Sequence, residues 1–353
     1  MADALAERGS LADEQKRAQE LVRETERRRS YARAKEPGRG RQATRPSQIP
    51  WLGWKDILKR TWQETGADDL DLVSAGVAFY WMLALFPAMA ALISLYGLFA
   101  DPADVQRQME AVAFLMPVEV AQVIKGQLIA IVQAAPSGLS LGVLVSLVIA
   151  IYSATKGTTA IVQALNIAYE EEDRRGFIRN TLLSLGLTVV GIFAFLVALG
   201  LIVLLPFVLR VVFFDVAAES LALVGRWVLL AGLIFVVLVA VYRIAPNRRR
   251  AKLKWLVPGA ALATFLWILG SLGFAWYVQA FGSYNKTYGS IGAVIVTLLW
   301  LYVSAYIVLL GAELNSEIEH QTAEDTTVGY ARPLGERGAF MADSVGKSRS
   351  EKD

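Results

Sequence analysis

Six long runs of apolar residues, set between polar segments, organise the chain. The last reads YNKTYGSIGAVIVTLLWLYVSAYIVLLGAELNSE (Tyr284 to Glu317), with a polar, tyrosine-rich start. It stays uncharged from Gly289 to Ala312 and stops at Glu313 and Asn315. At ~1.5 Å of rise per residue, such a helix crosses a ~30 Å hydrocarbon core. Gly289, Gly292 and Gly311 leave smooth patches on it where another helix can approach closely. The five earlier runs are Leu72–Ala100 with Pro87, Leu139 to about Thr155, Leu182–Leu209, Trp227–Ala245 and Trp255–Phe281. Pro246-Asn247 ends the fourth, and Pro258 falls in the expected first turn of the fifth. A backbone surrounded by lipid must satisfy its own hydrogen bonds, so all six are predicted to be helices.

The polar segments divide the rest. Residues 1–50 are charged and poor in apolar side chains, and Pro37-Gly38, Gly40 and Pro46 break them up. This is the composition of a disordered or helical charged cytoplasmic arm. Within 51–70, Trp51, Trp54, Ile57, Leu58 and Trp62 recur at helical spacing, with Lys55, Lys59 and Arg60 between them. That pattern predicts an amphipathic helix lying in the membrane interface, with packing on a neighbouring loop as the alternative. Asp101–Pro136 is too long for a turn. Its helical periodicity, broken near Pro117, predicts two short extracytoplasmic helices. Residues 321–353 are polar, with Gly, Ser and Pro, and read as a disordered tail. The domain reading is therefore an arm (1–50), an interfacial helix (51–70), a six-helix transmembrane domain (71–320) and a tail (321–353).

Composition agrees with this class. The chain has 353 residues, 55% of them hydrophobic and only 19% charged, and the hydropathy is concentrated in blocks. There is no cysteine, which excludes disulfides and thiolate metal sites. Charge is distributed unevenly between loops. Arg174, Arg175 and Arg179 follow the second run, and Arg243, Arg248, Arg249, Arg250, Lys252 and Lys254 follow the fourth. The alternate loops are poorer in Lys and Arg, so the positive-inside rule places both termini in the cytoplasm. The fold expectation is all-α: a polytopic bundle of six transmembrane helices, N-in/C-in, in a bacterial inner membrane.

Several elements together resemble the YihY/BrkB family of bacterial inner-membrane proteins, once described as ribonuclease BN. They are AGVAFYWMLALFPAMAAL (Ala75 to Leu92), IYSATKGTTAIVQALNIAYEEEDRR (Ile151 to Arg175), YRIAPNRRRAKLKWLVPGA (Tyr242 to Ala260) and the final apolar run with GAELN. The likeness covers roughly residues 55–320. It implies six spans and a role in envelope integrity, with transport of lipids or other solutes as the suggested activity.

Candidate chemistry is sparse. The only histidine, His320, lies at the edge of the polar tail, and no HxHxDH, HExxH, Walker A or GxGxxG pattern is present. A ribonuclease or ATP-driven reading is therefore disfavoured; no enzyme activity, cofactor, metal or nucleic-acid partner is expected. Polar groups inside or at the ends of spans are costly and become the default candidates. Lys156 follows the second run one turn after Tyr152, with hydroxyls around it, and the alternative is a lysine snorkelling to the interface. Asn166 and Asn315 each follow a leucine, with Tyr152 and Tyr302 more than three turns earlier, a pattern that is either a trace of internal repetition or coincidence. Glu313 either bonds a partner or is a solvated boundary carboxylate. Tyr80 and Pro87 on the first run can line a cavity or simply pack. Tyr288, with Tyr284 and Lys286, is a gate candidate or part of an aromatic belt. Two functions stand: a transporter or flippase of lipid-like or amphipathic anionic solutes, and a scaffold for an envelope protein partner. Membrane lipids are the expected surroundings of either.

Overall fold

The computed structural model describes residues 17, 21, 24–99, 141–212, 216–280 and 284–351. The expected helices of Asp101–Pro136 lie outside the described residues. Among those described, the regular structure is helical: α1 (Trp51–Ala67), α2 (Leu70–Phe99), α3 (Leu141–Ala168), α4 (Phe177–Val212), α5 (Val216–Ile244), α6 (Leu253–Ala280), α7 (Tyr284–Gln321) and the short α8 (Phe340–Asp343). Residues 24–33 are also helical, and Pro46–Gln48 forms one 3₁₀ turn. The six long helices occur where the six apolar runs predict them.

Four stretches among the described residues are long and apolar enough to cross a membrane: Phe177–Ala198, Gly225–Ile244, Leu253–Tyr277 and Val294–Gln321. Their outward faces carry large apolar side chains, including Phe193 and Leu196 on α4, Trp227 on α5, and Phe265 and Trp276 on α6. Apolar surface of this kind is stable in lipid and not in water.

The long helices form a ring. Each packs on the next in sequence from α2 to α7, and α7 closes the circuit on α2 while also touching α3. The core between them is built from Val77, Leu165, Leu238, Leu256, Leu309 and a set of alanines, among them Ala260, Ala263, Ala305 and Ala312. Small residues permit close approach, and the α6–α7 crossing depends on it. A Cβ built on Gly259 runs into the Gly311 carbonyl oxygen, and one on Gly311 falls 2.6 Å from the Tyr242 hydroxyl. The expected role of Gly311 as a smooth contact surface is met there.

Helix ends differ from expectation in two places. α3 does not stop near Thr155. Thr155, Thr158 and Thr159 return their hydroxyls to the carbonyls of Ile151, Ala154 and Thr155, so their polar groups are satisfied inside a helix that runs on to Ala168. α6 begins at Leu253, which places Pro258 in its second turn rather than its first. The backbone loosened there is bonded from the side. Asn315 accepts from Gly259 N–H at 2.8 Å and donates to the Leu256 carbonyl at 3.0 Å.

The largest departure concerns the two polar ends. The arm (1–50) is expected to be disordered or helical and the tail (321–353) disordered; the described parts of both, 24–50 and 322–351, pack on one end of the bundle, here called the base. α1 lies across α7 there, turning Gly53, Asp56, Ile57, Arg60 and Thr61 inward. Ile49, Ile57, Trp255, Leu314 and Ile318 make a second core beneath it. The tail has little regular structure and is held by guanidinium groups. Arg337 donates to the carbonyls of Ala323, Glu324, Arg332 and Ala342. Arg41 reaches the carbonyls of Gln321 and Gly346, and Arg33 forks onto Glu351 at 2.9 and 3.0 Å. The linker into α6 pairs with the tail through Lys252 N–H to Thr326 O and Val328 N–H to Arg250 O. Low apolar content predicts disorder only when nothing else fixes the backbone, and here arginines do.

Candidate functional site

The sequence-predicted residues separate into two groups. The first lies at mid-helix. Tyr152 and Lys156 are exposed on α3 one turn apart, with the Lys156 ammonium 5.5 Å from the Tyr152 ring centroid. Gly157, next to them, presses on α2: an added Cβ would meet Trp81 at 2.9 Å and the Tyr80 carbonyl oxygen at 3.7 Å. Tyr80, itself exposed, thus shares a neighbourhood with Tyr152 and Lys156. On the other side of α3, the hydroxyls of Thr158 and Thr188 pair at 2.8 Å, and Thr159 donates to Ser184 at 3.0 Å, zipping α3 to α4. Lys156 is therefore not at a helix end, as the sequence suggests. Twelve residues of α3 follow it, about 18 Å of helix. Pro87 lies further along α2, half-buried. Tyr302 sits on α7 with its ring 6.3 Å from that of Tyr306, away from the Lys156 group in sequence and helix. Tyr288 falls within α7, and its side chain lies outside the described residues.

The second group is at the base, where Asn166, Glu313 and Asn315 are all buried. Asn166 accepts from the backbone N–H of Asn247 at 2.7 Å, while Asn315 bonds the second turn of α6. Asn166 thus pins the α5–α6 connection from α3, and Asn315 pins the start of α6 from α7. Glu313 is not a solvated boundary group: α7 continues past it for two turns, and it is 1% exposed.

Sequence reading missed the charged residues around this group. The Arg60 guanidinium is paired with Glu317 and also reaches the Gln321 side chain. The Nη2 of Arg248 donates to both carboxylate oxygens of Glu319, at 2.6 and 2.8 Å, and its guanidinium lies 4.8 Å from the ring centroid of buried Tyr169. Beside Arg60, the side chains of Glu64, Asp68 and Glu170 converge, with one carboxylate oxygen of each within 4.8 Å of the others. Three segments place them. Glu64 is in the last turns of α1, Asp68 is in the turn to α2, and Glu170 caps the end of α3 in a left-handed conformation (φ 54°). Burial, with the nearby charges of Glu317, Glu170 and Asp68, pushes Glu64 up to about 6. Burial likewise raises Asp68 and Glu170 above the usual carboxylate range. One signal was available in sequence: Asp56 and Arg60 share the buried stripe of α1 with Ile57, so that face had to find charged partners.

These placements can be set beside known proteins. The family model described as "Virulence factor BrkB" matches residues 61–333, most of the chain. The chain belongs to the BrkB family. That match runs from the second half of α1 through α7 and takes in every sequence-predicted site residue together with Glu64, Asp68 and Glu170, while Arg60 lies just before it. A putative ribonuclease-like protein of Bacillus subtilis (strain 168), YfkH, is 35% identical over 249 residues, covering 69% of this chain and 88% of that protein. Two relatives named UPF0761 membrane proteins match over shorter stretches. The one from Pseudoalteromonas translucida is 38% identical over 95 residues, 27% of this chain and 31% of the relative. The one from Haemophilus influenzae (strain 86-028NP) is 38% identical over 79 residues, 22% of this chain and 29% of the relative. No solved structure matches the chain. With its membrane-protein relatives and its apolar helices, this BrkB-family chain is a multi-pass membrane protein.

Proposed function

We propose that this BrkB-family protein is a transporter or flippase of lipid-like or amphipathic anionic solutes, acting without covalent catalysis and contributing to envelope integrity. In this reading α2 to α7 are six spans of a bacterial inner membrane, and the arginine-rich base with both termini faces the cytoplasm. The observation that carries it is the position of Lys156. An exposed ammonium near the middle of a 28-residue helix is expensive against hydrocarbon and useful beside a polar path. The Tyr152 ring beside it and the exposed Tyr80 on the adjoining stretch of α2 suit a ligand with an anionic head and an apolar body. A scaffold role rested on the charged termini. Their arginines spend their hydrogen bonds within the chain, on Glu351, on Glu317 and on tail carbonyls, which leaves that reading less support.

The test is reconstitution into liposomes with a fluorescent anionic phospholipid, read by dithionite quenching of the outer leaflet. Wild-type protein is expected to scramble or move the label, Lys156→Ala to lose most of that activity, and Lys254→Ala, on an exposed loop-proximal turn, to keep it. Equal activity in the two variants would remove Lys156 from the site. Absence of movement in all proteoliposomes, with correctly inserted protein, would end the transport reading.

A further inference from the structure

Within the arginine-rich base one patch is acidic, and among the described residues no cation forms an ion pair with it. Glu64, Asp68 and Glu170 bring three carboxylates together from three segments. A fourth, Glu313, approaches from α7 with its carboxyl in hydrogen-bond contact with that of Asp68, and its buried Oε1 receives no hydrogen bond from an amide, hydroxyl or cationic donor of the described residues. The nearest guanidinium, that of Arg60, is already paired with Glu317. Like charges at this separation repel, and a buried carboxylate oxygen without a donor forfeits its hydration. A cation resolves both problems at once. The donor set is carboxylate oxygen throughout, with neither nitrogen nor sulfur, which selects the hard divalent class over zinc or copper. Glu170 is exposed and gives an ion a way in, while Glu313 supplies the closed side.

We propose that Glu64, Asp68, Glu170 and Glu313 bind one divalent cation of the Mg2+, Ca2+ or Mn2+ type. The ion would clamp α1, the α1–α2 turn, α3 and α7 together at the base. Its binding is independent of whether the protein moves lipid.

Mn2+ reports on such a site directly, because the free aqueous ion gives a six-line paramagnetic resonance spectrum that broadens on binding. Purified full-length protein in detergent, stripped with EDTA and desalted, would be titrated with MnCl2, then challenged with MgCl2 and CaCl2. The expected result is one Mn2+ bound per chain, displaced by at least one of the other two ions. Asp68→Asn and Glu170→Gln should each weaken binding by roughly tenfold or more, and Glu324→Gln, an exposed acid of the tail, should not change it. Glu170 is at the surface, so its variant should elute as a single species even if Asp68→Asn does not fold. Two results would overturn the proposal: no stoichiometric Mn2+ binding by the wild type, or binding that survives Glu170→Gln at full affinity.

Discussion

The base and the middle of the bundle obey opposite rules. At the base, charged groups are inside: Arg248 and Glu319 are 3% and 0% exposed, and Arg60 and Glu317 are 8% and 1%. In the middle, apolar groups are outside, with Phe193 and Trp276 about seven-tenths exposed in the bare chain. One chain thus carries two solvents in its design. Around the spans, lipid replaces the burial that water would demand, and helices meet through small residues and hydroxyl pairs. At the base, water is the solvent, and structure must come from burial within the protein. Arginines do that work by satisfying carbonyl groups that have no helix or sheet partner.

The contrast predicts where substitutions hurt. The largest cost should follow from breaking a buried ion pair. Arg60→Ala leaves Glu317 buried without its partner and should destabilise the protein by about 3–5 kcal/mol. The Arg60→Ala/Glu317→Ala double variant should recover part of that loss, as measured by thermal unfolding in detergent. Additive losses would mean that the pair is not coupled.

Next comes the helix crossing in the lipid region. Gly259→Ala inserts a Cβ against the Gly311 carbonyl and should cost about 1–3 kcal/mol as α6 and α7 are forced apart. Gly273→Ala, where a Cβ meets open space, should change stability little and serves as the control.

A smaller effect concerns acid. Arg33 holds Glu351 below the usual carboxylate range. For Asp325, burial pushes upward, but the Thr327 hydroxyl and the N–H groups of Arg332 and Thr327 outweigh it, and the net shift is down. Both groups are therefore harder to protonate in the folded state than in the unfolded chain. Their contribution is complete above the ordinary carboxylate range and is lost as pH falls through the depressed values. Hydrogen exchange, corrected for its intrinsic pH dependence, should show the tail over 322–351 opening in acid before the bundle does. Asp325→Asn should weaken the same protection at neutral pH. A tail equally protected at acid and neutral pH would break this part of the comparison.

The smallest effect belongs to the surface. Arg28–Glu24 is an ion pair of 2.8 Å between exposed side chains, and Arg28→Ala should cost less than about 0.5 kcal/mol. A cost like that of Arg60→Ala would mean that this arm is buried by something the chain alone does not provide.

Much of this was legible in the sequence, for one physical reason: hydropathy acts locally. A run of apolar residues long enough to span a bilayer has one way to satisfy its backbone, so six runs became six long helices, and the Trp51–Trp62 spacing became α1. Gly311 could be picked out because the absence of a side chain is itself a local property. Pairing is not local. Arg60 meets Glu317 across 257 positions, Arg33 meets Glu351 across 318, and the cluster of Glu64, Asp68, Glu170 and Glu313 is gathered from four segments. Residue types alone gave those ends the composition of solvated, disordered chain. Only the closed ring of helices, by setting α1, α3 and α7 side by side at one end, decided that their charges would be buried together.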